Sequence, residues 1–158
     1  MGRKYTVSGA PAAHAAAVDL VEILAASTHI ILIHEWEVWQ TTDVGDAAEE
    51  VLTLEQVDGI GAVTSGSGGS SPNKEPHEEG DAASDATVEA FNTTRMAVGS
   101  GTLRTRRFGW NVRVPITKIY TPETRPIVAP GNRWTLAMPA PADSLTVGFR
   151  VVYEEIGS

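Results

Sequence analysis

One stretch near the end of the chain constrains the fold more than any other: Ser144–Ile156, SLTVGFRVVYEEI. Its large apolar side chains recur at every second position, at Leu145, Val147, Phe149, Val151 and Tyr153. This two-residue period is typical of a β-strand with one buried and one solvated face. Such a strand needs hydrogen-bonding partners on both edges and an apolar layer over its buried face. The rest of the chain must therefore supply a sheet around it and a second sheet above it.

His29–Gln40, HIILIHEWEVWQ, is rich in β-branched and aromatic residues and predicts a second long strand. A strict two-residue period puts Ile30, Leu32, His34, Trp36 and Val38 on one face. The first half of the segment is apolar on both faces. We therefore expect this strand to cross the centre of a sheet that is covered on both sides.

The start of the chain is harder to assign. Lys4–Val7 predicts a short strand that Pro11 ends, within an N-terminal arm formed by residues 1–16. Ala12–Ala26 has the composition of a helix, and it also alternates as a strand from Val18. We favour the strand, because the neighbouring segments are all strands.

Further apolar segments predict strands at Glu50–Ile60, Thr87–Val98 and Arg133–Met138, and one or two strands within Thr102–Tyr120. A Pro-rich stretch, 121–131, predicts an extended arm or edge segment. About eight strands without a firm helix predict an all-β fold, a two-sheet antiparallel β-sandwich with long loops, with the jelly roll as the leading topology. The length of 158 residues fits a single domain, 1–158.

Residues 62–86 form the longest predicted loop, Gly/Ser-rich at first and then acidic. From Ser65 onward it has the composition of a flexible linker. If it is ordered, either its own domain or a neighbouring copy holds it. We favour the neighbouring copy, because the segment has few apolar side chains.

Composition excludes several classes of protein. There is no cysteine, so neither a disulfide framework nor a thiolate metal site can form. No apolar run approaches the roughly 20 residues that a membrane span needs, and the start MGRKYTVSGA does not resemble a signal peptide. We expect a soluble protein with no membrane partner. The net charge of -8 argues against nucleic-acid binding.

Charge is divided along the chain. Residues 19–89 contain 16 of the 20 acidic residues and one base, whereas residues 95–133 contain eight of the 12 bases and one acid. The two blocks could neutralise each other within the fold, or they could meet across copies in an assembly. The first interpretation is the simpler one, since most surface charge carries no function.

Catalytic motifs are lacking, so we predict no catalytic residue, no cofactor and no metal. No G-x-S-x-G elbow is present. His34 shares a predicted face with Leu32 and Trp36, which favours a hydrogen-bonded core or boundary residue. Acidic residues and a histidine between Glu75 and Asp81 could hold a divalent cation, although a solvated acidic loop is the commoner use of such a cluster.

Several short phrases along the chain resemble small proteins from the virion-gene blocks of tailed bacteriophages. They are Asp43–Glu50 before a strand, the Ser65–Pro72 loop, Asn92–Thr94, Asn111–Arg113, Thr121–Glu123 with Arg125–Pro126, and Ala142–Thr146. The resemblance implies a capsid decoration, or cement, protein. Such a protein is a β-domain, often a homotrimer, that sits on the outer capsid surface and braces the shell where major capsid subunits meet.

The implied partners are the major capsid protein and other copies of this chain. Our candidates for the partner interface are Arg104, Arg106, Arg107 and Trp110, because arginine and tryptophan are favoured at interfaces. One alternative is a carbohydrate-binding β-sandwich on the virion surface, with Trp36, Trp39, Trp110 and Trp134 as a possible sugar platform. Another is a structural protein of the neck or tail.

Overall fold

A computed structural model describes residues 2–42 and 51–157, and these residues form eleven β-strands and no helix. The strands are β1 (Arg3–His14), β2 (Val18–Leu24), β3 (His29–Gln40), β4 (Val51–Ile60), β5 (Lys74–Pro76), β6 (Thr87–Asn92), β7 (Thr102–Asn111), β8 (Ile116–Ile119), β9 (Ile127–Val128), β10 (Arg133–Met138) and β11 (Leu145–Gly157). The prediction of an all-β fold is confirmed. The turn predicted over 43–50 lies outside the described residues.

Two antiparallel sheets pack face to face. Sheet I has the strand order β5-β1-β11-β3-β8, with β9 also paired to β3, and sheet II has the order β6-β2-β10-β4-β7. Without β5, β6 and β9, the orders become β1-β11-β3-β8 and β2-β10-β4-β7. This is the strand order of a jelly roll. The predicted eight-stranded sandwich is thus present, with three additional strands at its edges.

Strand β11 lies at the centre of sheet I, between β1 and β3. Its predicted inner face, from Leu145 to Tyr153, is fully buried in the core. Glu154 and Glu155 point to opposite faces, as the two-residue period predicts. Glu154 hydrogen bonds to His34, whereas Glu155 is buried beneath residues 84–86.

Strand β3 does not keep one inner face along its length. The pairing with β11 moves from Val152–Glu35 to Tyr153–Ile33, so His34 is an extra residue in a β-bulge. Ile31 and Ile33 point inward before the bulge, and Trp36 and Val38 after it. The predicted face that joined Ile30 to Val38 is therefore wrong, because a bulge reverses the alternation.

Strand β1 is longer than predicted, and Pro11 does not end it. The strand runs from Arg3 to His14 between β5 and β11, so most of the predicted arm belongs to the sheet. Its pairing with β11 shifts between Gly9 and Ala12. A bulge leaves ladder positions unpaired, and a proline, which has no backbone N–H, is tolerated there.

Strand β2 of sheet II, and not β3, is covered on both faces. Nearly all of β2 is buried, including Asp19 and Glu22 on its outer face. Asp19 accepts hydrogen bonds from Arg95 and from the Met96 backbone, and Glu22 accepts one from the Gly66 backbone. Burial on both faces removes the polar alternation from the sequence, which explains why β2 was ambiguous.

The long predicted loop packs along its own domain, so the expectation that a neighbouring copy holds it is wrong. Isolated bridges join Thr64, Ser67 and Ser70 to residues 90–97, and β5 extends sheet I beside β1. At Gly69 an added Cβ would overlap the carbonyl oxygen of Ala90. Glycine here permits a close approach between two backbones, a use that composition does not distinguish from flexibility.

One other strand differs from its predicted limits, and the Pro-rich stretch lies at the edge of sheet I. The strand that begins at Thr87 ends at Asn92, and the chain beyond it crosses the outer face of sheet II. The Pro-rich stretch 121–131 contains a turn closed at Thr121 and then β9, which pairs with Ile31 and Leu32. It is an edge segment of sheet I.

Candidate interaction surface

The three predicted interface arginines lie on β7, the edge strand of sheet II. All three side chains are exposed, and they do not share one face. Phe108 and Trp110 face inward, and Arg104 and Arg106 lie on the same face of β7 because every second residue of a strand shares a face. Both arginines therefore point toward the gap between the sheets. Arg107 points to the outer face of sheet II, where its Nε lies 3.2 Å from Glu55 Oε1.

Trp110, the fourth predicted interface residue, is 1% exposed. It belongs to the core, and its Nε1 donates a 2.8 Å hydrogen bond to the Val114 carbonyl. The alternation along β7 places the tryptophan inside where the sheets are in contact. A residue buried this far is not available to a partner in this fold, so its inclusion among the interface candidates is wrong.

A cleft of about 290 Å³ opens between β7 and the segment that contains β9. Its charged walls include Arg104, Arg106 and Arg125 together with Asp58, and we call this site the arginine cleft. Arg133 also lines it, but that guanidinium is bonded to Glu22 at 3.2 Å. The cleft is therefore a concave site with several guanidinium groups around one carboxylate.

The charges inside the arginine cleft are only partly compensated. Arg106 lies 3.3 Å from Asp58. Within residues 2–42 and 51–157, Arg104 and Arg125 form no ion pair, and the buried Nε of Arg125 has no hydrogen-bond partner. Burial raises the pKa of the Asp58 carboxyl above its ordinary value, although the nearby Arg106 lowers it. Because Asp58 pairs with only one of these three arginines, the cleft keeps positive charge that can attract an anion.

The outer face of sheet I presents apolar side chains to solvent at the same end of the molecule. Ile30 pairs with Ile156, and Leu32 pairs with Ile127, so all four side chains point outward together. Ile127 is 67% exposed, Ile156 41% and Ile30 38%. We call these four residues the isoleucine patch, in which the three isoleucines are exposed and Leu32, at 5%, is buried. Ile127 also lines the arginine cleft, so the two surfaces adjoin.

Strand β5 leads into an exposed acidic turn, which we define as Glu75, Glu78, Glu79 and Asp81. Asp81 N donates to Glu78 O at 3.2 Å, and Gly80 adopts φ 93° where the chain reverses. No ion pair to these four acids occurs in the described parts of the chain. Within these same parts of the chain, no three His, Asp or Glu side chains are grouped as ligands of one metal ion.

Histidines near this surface form local hydrogen bonds. His34 Nε2 lies 2.8 Å from Glu154 Oε2 and is half-buried, as expected for a boundary residue. His77 Nε2 lies 2.7 Å from the Thr6 hydroxyl, which ties the acidic turn to β1. His34, His77 and Arg125 line one shallow hollow of about 380 Å³ on the outer face of sheet I.

The tryptophans do not form a row on the surface. Trp36, Trp110 and Trp134 are each at most 1% exposed. Trp39 lies against Gly148 on the outer face of sheet I and is only partly exposed. A sugar platform made from all four is therefore excluded by their burial.

Sequence reasoning missed Arg125 and the isoleucine patch. The apolar residues on both faces of His29–Ile33 were a signal for the patch, but we interpreted them as evidence of a second covering layer. In the sequence, nothing distinguished Arg125 from the rest of the Pro-rich stretch 121–131. Its position opposite β7 depends on the packing of the two sheets, which no local pattern reveals.

Comparisons of the chain with protein-family models, with curated proteins and with solved structures find no match. In the described ranges, no helix has the length and apolar character that crossing a membrane would require.

Proposed function

We propose that this protein is a non-enzymatic structural protein of a tailed-phage virion. In this role it decorates the outer capsid surface and stabilises the shell by binding between major capsid subunits. The phage assignment itself comes from the resemblance of the short phrases in the sequence. The loop 62–86 no longer supports the proposal, since its own domain holds it.

The isoleucine patch is the observation that carries the proposal. Ile30, Ile127 and Ile156 leave large apolar surfaces in water on one side of a sheet. Exposed contiguous apolar surface costs free energy that binding recovers, and it marks interaction sites on many proteins.

Co-sedimentation with empty capsids of the parent phage tests the proposal. We expect the wild-type protein to bind the capsids and to raise the temperature at which they break open. Ile127→Asp should weaken binding by at least about tenfold, because it places a charge at the most exposed residue of the patch. Val98→Asp is the matched control, since Val98 is also exposed, at 50%, but lies on the segment that covers sheet II.

Three results would contradict the proposal. The wild-type protein could fail to bind capsids, the two aspartate variants could weaken binding equally, or electron microscopy of labelled virions could place the protein on the neck or tail. The last result would keep a virion role and remove the decoration role.

A further inference from the structure

We propose that the arginine cleft binds the acidic turn of a second copy of this chain. The contact would place Glu78 and Glu79 of one copy against Arg104 and Arg125 of the next. This inference rests on the proposed function, because copies that decorate one shell stand beside each other. It assigns the cleft to the neighbouring copy and leaves the isoleucine patch to the shell.

The first argument concerns the positive charge that the fold leaves unpaired. Most arginines of the basic block are neutralised inside the molecule: Arg95 by Asp19 and Glu55, Arg106 by Asp58, Arg107 by Glu55 and Arg133 by Glu22. Among the described residues, Arg104 and Arg125 form no ion pair, and both line the cleft. Guanidinium groups in a concave, partly desolvated site favour bidentate carboxylate partners.

The second argument concerns the negative charge that remains. Glu78 and Glu79 are exposed and make no ion pair within the described residues. The chain reverses at Gly80, directly after these two glutamates. Of the four arginines that line the cleft, Arg133 is paired with Glu22 and Arg106 with Asp58, so two glutamates would neutralise the charge of the remaining two. The exposed acidic turn thus matches the concave basic site in charge.

The third argument concerns distance within one molecule. The acidic turn follows β5, and the cleft borders β9, with β1, β11 and β3 between these strands in sheet I. Four strand spacings of about 4.8 Å give roughly 19 Å from β5 to β9. Glu78 and Arg125 line the same hollow on this sheet, yet no ion pair joins them. Neither Glu78 nor Glu79 lines the arginine cleft of its own molecule, so we assign that place to the glutamates of a second copy.

A charge-swap experiment tests the contact. The measurement is light scattering and sedimentation at about 50 mM salt, where surface charges are weakly screened, over a range of protein concentrations. We expect the wild type to associate. Arg104→Glu with Arg125→Glu should raise the dissociation constant at least about tenfold, and Glu78→Arg with Glu79→Arg should do the same.

Mixing the two double variants gives the decisive result. Each variant alone presents like charges at the turn and the cleft, whereas the mixture presents opposite charges at every contact. We expect association to return in the mixture and to weaken with added salt. Arg113→Glu and Asp143→Arg alter exposed charges outside both sites and should leave association unchanged.

Circular dichroism checks that each variant folds. A monomeric wild type, association that the double variants leave intact, or a mixture that stays monomeric would overturn the inference. Failure here is distinguishable from failure of the proposed function. Ile156→Asp, in the isoleucine patch but outside the lining of the cleft, should lose capsid binding and still associate with itself, whereas the charge variants should lose self-association.

Discussion

Glu155 shows how a single buried side chain fastens a loop to the sandwich. The residue is 2% exposed at the end of β11. Its carboxylate accepts 2.7 Å hydrogen bonds from the Ser84 hydroxyl and the Ala86 backbone N–H, and a longer one from the Asp85 N–H. The Tyr153 hydroxyl in turn bonds to Ser84 at 2.7 Å. One carboxylate therefore accepts hydrogen bonds from three donors that are buried or partly buried.

Glu155→Ala should lower the free energy of unfolding by about 2–4 kcal/mol, because it leaves buried donors unsatisfied. Urea denaturation measures the change. Glu154→Ala is the control on the same strand: its half-buried hydrogen bond with His34 should be worth about 1 kcal/mol or less. Equal losses in the two variants would show that the loop does not depend on Glu155.

Arg95 connects two carboxylates on the outer face of sheet II. Its Nε lies 3.1 Å from Asp19 Oδ1, and its terminal nitrogen lies 2.8 Å from Glu55 Oε2. The hydrogen bond from Arg95 lowers the pKa of Glu55 below its ordinary value of 4.5. Burial raises the pKa of Asp19, although its bonds with Met96 and Arg95 lower it. Relative to the unfolded chain, the pKa of Glu55 is therefore lowered and the pKa of Asp19 is raised.

Glu55→Gln should reduce stability near neutral pH. Since the folded pKa of Glu55 is lowered, its carboxylate stabilises the fold above the unfolded value of 4.5. That contribution is lost as pH falls through the folded pKa. The difference in urea midpoint between wild type and variant should therefore be largest near neutral pH. It should shrink as pH falls below 4.5. A constant difference at every pH would contradict the pairing with Arg95.

Strand β1 owes its length to the bulge around Pro11. On the inner side of this bulge Gly9 lies against the buried ring of Phe149. Phe91, held at φ 58°, packs edge-on against the same ring with centroids 5.4 Å apart. The space that a side chain at position 9 would need is already occupied by these two rings. The element therefore depends on a glycine for packing as well as on a bulge for pairing.

Gly9→Ala should destabilise the protein by about 1–3 kcal/mol, because the new Cβ would overpack the core. It would lie 2.7 Å from Phe149 Cδ1 and 2.9 Å from Phe91 Cε2. Gly109→Ala is the matched control on strand β7, where an added Cβ meets nothing within 4 Å. Thermal unfolding should show a lower midpoint for Gly9→Ala alone. Similar midpoints would mean that the rings move aside at little cost.

At the scale of the whole molecule, the excursion between β4 and β6 becomes part of the sandwich. Its first part covers sheet II through the bridges at Thr64, Ser67 and Ser70. Its second part extends sheet I as β5, and Lys74 then bonds the carbonyls of Ser84 and Ala86 at 2.9 and 2.6 Å. A segment with few apolar side chains is thus ordered by hydrogen bonds to both sheets.

Lys74→Met should lower the hydrogen-exchange protection of amides in residues 77–86 by at least about tenfold, because two charge-assisted hydrogen bonds are lost. The amides of Thr64, Ser67 and Ser70 should keep theirs, since they bond to residues 90–97. Lys4→Met, at an exposed lysine, should change neither set. In the wild type, protection that rises with protein concentration would show that a neighbouring copy orders the loop after all.

The sequence by itself determined the class of fold and most of the strands. Periodicity located β10 and β11 almost to the residue, because each buries at least one face against the opposite sheet. It also marked β7 as a strand rich in arginine. These features are local, since a two-residue period needs no knowledge of what lies across the sheet.

Only the tertiary structure decided which residues form the candidate surface. The bulge at His34 reversed one face of β3, which left Ile30 outside and put Trp36 in the core. Packing of the sheets buried Trp110 and brought Arg125 to the cleft beside Arg104. Bulges and contacts between sheets depend on partners distant in the sequence, and a local pattern carries no record of them.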